Sequence, residues 1–363
     1  MPVERDRALT TSMNRNPDAT AGSLIGTAIG DALGLPYEGL RPTRARRLLG
    51  PPDRYRFLFG RGMVSDDTEH SCLVALALAR SGGDPEAFAR RLSGGLRWWL
   101  LGLPAGIGWA TLRAIVRLWL GFGWKRSGVW SAGNGPAMRS AVIGAAVHDP
   151  DRMVELVSIS AQITHRDPLA ATGALVVALA AAQSAQGRCD AEALLAELAK
   201  RVPDVDPVFV GRLGQAVHSV KEGESIESFL RDSGQSAGVS GYVVDTVAVA
   251  IRIWLAFPND FEKALTAAVS CGGDADTLAA IVGGIVGARV GPSGIPRRWR
   301  QELCEWPRSL DWMLALASRT DQSLNAGTGT DGIRYGFCFG IPRNLLFFTT
   351  VLVHLLRRAL PPY

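Results

Sequence analysis

The chain has 363 residues, of which 47% are hydrophobic and 20% are charged, and its formal net charge is +5. This is ample material for a large core, compatible with one large domain or two smaller ones. The basic residues lie in several short segments rather than one run, so we expect no nucleic-acid partner, and a weak preference for phosphates remains an alternative to solvated faces. Five scattered cysteines without a CxxC pair are typical of reduced thiols in a cytoplasmic protein.

The two ends of the chain are polar or too short to cross a membrane. Residues 1–18 are polar and charged and lack the apolar stretch of a secretory signal, so we expect this segment to be disordered. The apolar run at 345–356 is shorter than the roughly 20 residues that a spanning helix needs. We expect a soluble protein, and contact of the C-terminal helix with a membrane surface stays open.

A glycine-rich helix is predicted at residues 21–35. Its glycines recur at every fourth position, at Gly22, Gly26, Gly30 and Gly34. Each costs the helix about 1 kcal/mol relative to alanine, so their value lies in the close approach of a second backbone. We expect Asp31 to have a structural role in this central helix. Glu38 follows the helix, either as an exposed loop acid or as an acid directed at the carboxylates described next.

The first acidic segment combines two carboxylates and two hydroxyls at the start of an apolar helix, predicted at 71–79. Its residues are Ser65, Asp66, Asp67 and Thr68. Oxygens at this position accept bonds from free backbone N–H groups and complement the positive end of the helix dipole. The flanking segments 41–62 and 102–130 show little periodicity and are predicted to be irregular.

A second acidic segment, at 270–277, repeats this pattern before an apolar helix at 278–290. Asp274 and Asp276 cannot both cap the same helix, and close carboxylates repel unless a proton or cation lies between them. A hard divalent cation with oxygen ligands relieves the repulsion. A helix start with surplus capping groups is the alternative for either segment alone. Together, the two segments predict an oxygen cage for two metal ions.

The middle of the chain offers a loop that suits an anion. Gly133, Asn134 and Gly135 precede a short helix, and bare backbone N–H groups at a helix start can bind phosphate. A tight turn without a ligand is the alternative. His165 lies just before the predicted helix start at Asp167 and is either a packed residue or a ligand contact.

The remaining pattern predicts an all-α fold, a compact multi-helix single domain. Aspartates followed by proline predict helix starts at Asp84, Asp149 and Asp167. No segment alternates with the period of a strand. We predict a helical domain at 19–317, followed at 318–363 by a polar linker and a C-terminal helical tail.

Four motifs resemble the ADP-ribosylglycohydrolase family, which includes the dinitrogenase reductase-activating glycohydrolases. They lie at residues 30–38, 65–68, 133–139 and 272–277. The resemblance covers residues 21–291 and implies an all-α fold with a binuclear magnesium site, in which manganese sometimes replaces magnesium.

The resemblance also implies roles for individual residues. Two groups of oxygen donors match the metal ligands: Ser65, Asp66 and Asp67, with Asp274, Asp276 and Thr277. Glu38 matches an acid that activates water, and Asp67 is placed with it among the catalytic residues. Four further residues match the substrate-binding part, with a glycine loop for the diphosphate of ADP-ribose: Gly133, Asn134, Gly135 and His165. Met138 completes that motif.

The implied reaction is hydrolysis of the bond between C1″ of ADP-ribose and a modified protein side chain, with N-linked arginine expected before O-linked serine. The implied partner is an ADP-ribosylated protein or ADP-ribose. Two alternatives remain. One is a metal-dependent phosphohydrolase acting on nucleotides, and the other is an inactive relative that only binds ADP-ribose or has a structural role. The oligomeric state is not predicted.

Overall fold

The structure is a computed structural model that describes residues 15–57 and 60–359. Over these residues the chain forms helices joined by turns and a few isolated backbone bridges, with no strand. The α-helices are α1 (Ala19–Gly34), α2 (Pro42–Leu49), α3 (Asp66–Ser81), α4 (Pro85–Leu100), α5 (Trp109–Trp119), α6 (Trp124–Ser127), α7 (Gly135–Met138), α8 (Ala141–Ala146), α9 (Pro150–Thr164), α10 (Pro168–Ala185), α11 (Ala191–Arg201), α12 (Pro207–Lys221), α13 (Ile226–Asp232), α14 (Val243–Ala256), α15 (Phe261–Ser270), α16 (Ala275–Val290), α17 (Arg297–Glu302), α18 (Leu310–Ala326) and α19 (Gly340–Ala359). The prediction of an all-α single domain is confirmed.

Helices α1 and α16 form the centre of the fold and lie with their backbones in contact. A Cβ added to Gly26 would stand 2.1 Å from the carbonyl oxygen of Gly283, and one added to Gly30 would stand 2.0 Å from that of Ala279. The glycines that weaken α1 therefore allow an approach that no side chain would permit. Because the two helices run antiparallel, the C-terminal end of α1 lies beside the N-terminal end of α16.

The predicted helix starts are confirmed by side-chain caps. Asp84 accepts a bond from the backbone N–H of Ala87, at 2.8 Å, and Asp167 accepts one from Leu169, at 3.0 Å. Asp149 caps α9 in the same way. Each cap of this kind stabilises its helix by about 1 kcal/mol.

Two segments that were predicted to be irregular contain helices. Helix α2 lies within 41–62, and α5 and α6 lie within 102–130. In α5 the buried side chains are Thr111, Ala114, Ile115 and Leu118, which follow helical spacing. Tryptophans and arginines on its exposed side obscure that pattern in the sequence.

The polar segment that was predicted as a linker from residue 318 is helical up to Ala326. Its polar side chains form hydrogen bonds with other helices inside the protein. Thr320 donates to the carbonyl of Ala75, at 3.1 Å, and Thr20 of α1 donates to Asp321, at 2.6 Å. Helix α18 therefore belongs to the core, and the connection to α19 begins only at Gly327.

The N-terminal segment predicted to be disordered lies mostly outside the described residues. Within the described part, the backbone N–H of Asn16 donates to the carbonyl of Ala185, at 2.7 Å. Among residues 15–57 and 60–359, two helical stretches have the length and composition to cross a membrane. One is α10, which is mostly buried, and the other is Phe337–Ala359, which is mostly exposed.

Candidate active site

Asp31 of α1 fixes the start of α3. Its fully buried carboxylate accepts the backbone N–H of Ser65, at 2.8 Å, and both the N–H and the hydroxyl of Thr68, at 3.2 and 2.5 Å. Burial raises the pKa of Asp31 to about 6, although the hydrogen bonds from Thr68 and Ser65 act in the opposite direction. The structural role expected of Asp31 is therefore to hold Asp66 and Asp67, which lie between its two partners.

The start of α16 is held by a glycine turn between two other chain segments. Gly273 has a φ of 72°, and a Cβ there would stand 2.1 Å from the carbonyl oxygen of Val239. Its backbone pairs with Leu40 on one side, through an N–H bond of 2.9 Å, and the N–H of Asp274 donates to Val239 on the other, at 2.8 Å. Only glycine fits this position, and it fixes where Asp274 begins the helix.

The two acidic segments meet. Thr277 donates a hydrogen bond to Oδ2 of Asp67, at 3.3 Å, and Ser65 donates to the same oxygen, at 3.1 Å. Asp66, Asp67, Asp274, Asp276 and Thr277 all line one cavity of about 510 Å³. Ser65 caps α3 behind Asp67 and does not line this cavity.

The carboxylates in the cavity are buried close enough to repel one another. Burial, together with repulsion from neighbouring acids, raises the pKa values of Asp66, Asp67 and Asp276 well above their usual range. Two buried oxygens, Oδ1 of Asp67 and Oδ1 of Asp276, have no hydrogen-bond partner. Unpaired buried carboxylate oxygens are costly, and a hard cation with oxygen ligands would satisfy them.

The donor set therefore suits magnesium or manganese, but it is not gathered around one point. Across residues 15–57 and 60–359, no group of three or more His, Cys, Asp and Glu side chains lies close enough together to hold a metal ion as placed. The fit rests on the chemistry of the oxygen donors and on the two unpartnered oxygens.

The predicted anion loop forms another wall of the same cavity. Gly133, Asn134, Gly135 and Met138 line it, and Asn134 donates to Oδ2 of Asp274, at 2.6 Å. The side-chain amide of Asn134 also lies 3.1 Å from the hydroxyl of Thr246 on α14. The loop is thus tied directly to the acidic segment of α16.

His165 lines the cavity beside this loop. A Cβ on Gly135 would stand 3.1 Å from the His165 ring, so the glycine leaves the space that the imidazole occupies. Burial and the nearby Arg139 lower the pKa of His165 to about 3, so the ring is neutral at physiological pH. Thr164 lies 2.9 Å from Nδ1 of His165 and accepts a bond of 2.7 Å from Arg139, which fixes this neutral ring.

Glu38 stands at the exposed rim of the cavity, in the turn that follows α1. Partial loss of water around its carboxyl raises its pKa, Asp274 raises it further, and Arg358 opposes both. A carboxyl whose pKa is raised in this way is suited to exchanging a proton with water.

Several lining residues were missed in the sequence because they lie in the segment 102–130, which was predicted to be irregular. They are Trp109, Thr111, Arg113 and Trp130, and Ser131, which follows directly, was missed as well. Trp109 and Trp130 are 71% and 75% exposed, so two large aromatic surfaces are open at this site. The helical spacing of the buried residues of α5 was the signal that could have predicted a helix carrying Trp109, Thr111 and Arg113.

The C-terminal helix α19 contacts the backbone next to the first acidic segment and in the turn that carries Glu38. Arg343 donates to the carbonyl of Val64, at 2.5 Å, and forms a buried ion pair with Glu305, at 2.6 Å. Further along the helix, His354 lies 3.1 Å from the carbonyl oxygen of Pro36, and Arg358 donates to that of Glu38, at 3.3 Å. The tail therefore supports the turn that carries Glu38 and the residue preceding Ser65.

Comparison with known proteins agrees with this geometry. The sequence model described as ADP-ribosylglycohydrolase matches residues 12–330. An uncharacterized protein of Archaeoglobus fulgidus is 36% identical over 77% of this chain and 90% of its own length. ADP-ribosylarginine hydrolase Tri1 of Pseudomonas putida is 28% identical over 82% of this chain and 78% of its own. A solved structure titled ADP-ribosylglycohydrolase-related protein complex is 30% identical with a TM-score of 0.63, covering 85% of this chain and 98% of that one. The chain belongs to the ADP-ribosylglycohydrolase family.

Proposed function

We propose that this protein hydrolyses the bond between ADP-ribose and a modified protein side chain, with ADP-ribosylated arginine as its first substrate. The observation that carries the proposal is the meeting of the two acidic helix starts, through the contact of Thr277 with Asp67, in one cavity with the anion loop. A cavity of about 510 Å³ lies within the size range of small-molecule sites. The name of the arginine hydrolase relative supports the choice of linkage.

Two Mg²⁺ ions, or Mn²⁺ in their place, are the proposed cofactors. The residues that would hold them are Asp66, Asp67, Asp274, Asp276 and Thr277, and Ser65, predicted as a ligand, would instead anchor Asp67 from behind. When bound, the cations would supply positive charge that orients ribose hydroxyls and polarises the attacking water. The unpartnered oxygens of Asp67 and Asp276 support this assignment.

The chain's own groups account for the proton transfers. Glu38, whose pKa is raised, accepts a proton from the attacking water as the water oxygen bonds to C1″. The bond from C1″ to the arginine nitrogen breaks through an oxocarbenium-like state, and the leaving guanidine nitrogen takes up the proton that Glu38 accepted from water, which regenerates the carboxylate. Asp67 is anchored by Ser65 and Thr277 and would orient the water.

The glycine loop and His165 would bind the remainder of the substrate. The N–H groups of Gly133 and Asn134 already donate to Ser131 and Gly241, so the N–H of Gly135, at the start of α7, is the one that suits the diphosphate. The neutral His165 ring presents a hydrogen-bonding group without adding charge. All five cysteines are unpaired, which supports a reducing cytoplasmic location.

The test is incubation of the purified chain with arginine- and serine-ADP-ribosylated proteins, with Mg²⁺ and with chelator. We expect Mg²⁺-dependent release of intact ADP-ribose from the arginine substrate. Release of AMP would instead identify a phosphohydrolase, and binding of ADP-ribose without turnover would identify an inactive relative. Release from the serine substrate alone would reassign the linkage.

A further inference from the structure

The distribution of polar and apolar side chains around helix α19 is the reverse of that on a normal surface helix. Its polar side chains face the protein: Arg343 bonds to Val64, Asn344 bonds to the carbonyl of Gly102 at 2.8 Å, and His354 lies against Pro36. Phe347 is buried with them, but most of the large apolar side chains face outward. They are Ile341, Leu345, Leu346, Phe348, Leu352, Val353, Leu355 and Leu356, each between 46% and 60% exposed. A continuous apolar surface of this kind marks a contact site rather than a solvated face.

Neighbouring elements extend this apolar surface beyond the helix. The bond from Asn344 to Gly102 places Leu101 and Leu103, which are 49% and 69% exposed, beside the start of α19. At the same end, the exposed ring of Trp306 packs on Phe339 with 5.1 Å between ring centroids. Aromatic side chains at the edge of an apolar face are typical of helices that lie in a membrane interface.

The outer face of α19 also offers no free hydrogen-bonding hydroxyls. Thr349 donates to the carbonyl of Leu345, at 2.8 Å, and Thr350 donates to that of Leu346, at 2.9 Å. A protein interface normally contributes direct hydrogen bonds across its area. A face whose polar groups are satisfied within the helix instead suits hydrocarbon, where no outside partner is available.

The charge around the helix matches an anionic surface. Residues 332–363 contain no aspartate or glutamate and four arginines, of which Arg343 is buried in its ion pair with Glu305. Arg357, in the last turn, and Arg54 are exposed and lie with Val353 around one depression, where Arg56 is paired with Asp53. Basic residues beside an apolar helix face favour anionic lipid headgroups.

We propose that α19 docks this protein on an anionic membrane surface, with the helix lying in the plane of the interface. The helical stretch Phe337–Ala359 is long enough to cross a bilayer, but Arg343, Asn344 and His354 hold one face of α19 on the protein, so the helix lies on the membrane and does not cross it. The inference is independent of the catalytic proposal, because none of the outward side chains lines the candidate active site.

Flotation of the full-length protein with lipid vesicles tests the docking directly. We expect flotation with vesicles of phosphatidylcholine and phosphatidylglycerol, weaker flotation with phosphatidylcholine alone, and a decrease at high salt. Failure of the protein to float with the anionic vesicles would overturn the proposal.

A pair of matched variants identifies the surface. Leu345→Glu with Leu352→Glu changes two outward residues of α19 that are 60% and 46% exposed, and Val208→Glu with Val210→Glu changes two residues of α12 with the same exposures. We expect the α19 variant to lower vesicle partitioning by at least about tenfold, because it removes two apolar contacts and adds like charge. The α12 variant should partition like wild type, and circular dichroism should show both variants folded. Equal partitioning of the two variants would overturn the proposal.

Size-exclusion chromatography with light scattering distinguishes a second copy as the occupant. We expect the same monomer mass for wild type and for the α19 variant. A wild-type dimer that the α19 variant dissociates, without vesicle binding, would assign the face to self-association and overturn the membrane proposal.

Discussion

The hydroxyl of Thr277 lies 3.3 Å from Oδ2 of Asp67, so the start of one helix touches the start of another that is 210 residues away in the chain. The contact depends on the close packing of α1 and α16, because α1 also carries Asp31, which holds the backbone of Ser65 and Thr68. One pair of glycine-packed helices thereby sets the positions of both acidic segments.

Glu38→Gln should lower kcat by about 10²–10⁴-fold, because the amide cannot accept the proton of water. Mg²⁺ affinity should change little, since Glu38 stands at the rim and is not among the proposed ligands. The measurements are steady-state release of ADP-ribose and calorimetric titration of Mg²⁺. Full activity of this variant would remove Glu38 from the mechanism.

Gly273→Ala should displace Asp274 and abolish most activity. The new Cβ would stand 2.1 Å from the carbonyl oxygen of Val239, in addition to the strain of a φ of 72°. Gly187→Ala is the matched control, because Gly187 has a φ of 68° and open space around its added Cβ. We expect both variants to lose about 1 kcal/mol of unfolding free energy from backbone strain, and only Gly273→Ala to lose Mg²⁺-dependent turnover. Equal activity in the two variants would contradict the role of this turn.

Arg343→Leu should cost about 3–5 kcal/mol of unfolding free energy, because it leaves Glu305 buried without its closest partner. Glu305→Leu should be similarly costly. The double variant should lose less than the sum of the two, since Glu69 and Arg308 remain as a balanced buried pair. Urea unfolding of the three variants checks this, and strict additivity would show that Arg343 and Glu305 are not coupled.

Asp321 should make stability depend on pH away from the active site. Burial raises its pKa to about 6, against the opposing effects of Thr20 and Arg15. Because the folded state binds the proton more tightly than the unfolded state, this residue's contribution to stability is largest below about pH 4 and is lost as the pH rises to about 6.

Asp321→Asn should therefore flatten the decline of unfolding free energy between about pH 4 and pH 6, by an amount of the order of 1 kcal/mol. The amide retains an oxygen that can accept the bond from Thr20. Substitution of the exposed Asp204 by asparagine is the control and should leave the wild-type pH profile unchanged. A wild-type profile in Asp321→Asn would show that Asp321 is not linked to folding.

The sequence predicted those parts of the structure that have local causes. Asp84, Asp149 and Asp167 cap their helices because a carboxylate before a proline satisfies the first N–H groups without help from the rest of the fold. The fourfold glycine spacing of α1 likewise predicted a close neighbour, since glycine in a helix has little other use.

Other features depended on contacts that are distant in the sequence. Helix α18 continues past residue 317 because Thr320 bonds to Ala75, a partner that no local pattern reveals. The contacts of His354 and Arg358 with the turn that carries Glu38 likewise join residues that are far apart in the sequence. Trp109 was missed because exposed aromatics on α5 masked the helical period of its buried residues, and Trp130 was missed because it lies outside any helix.

Calorimetric titration of Mg²⁺ into wild type, Asp67→Ala and Asp276→Ala tests the central claim most directly. The two substitutions remove carboxylates from different segments, and the account predicts that each one weakens Mg²⁺ binding by at least about tenfold, because both segments share the cations. Unchanged Mg²⁺ binding in both variants would show that the two acidic segments, although they meet, do not form a metal site.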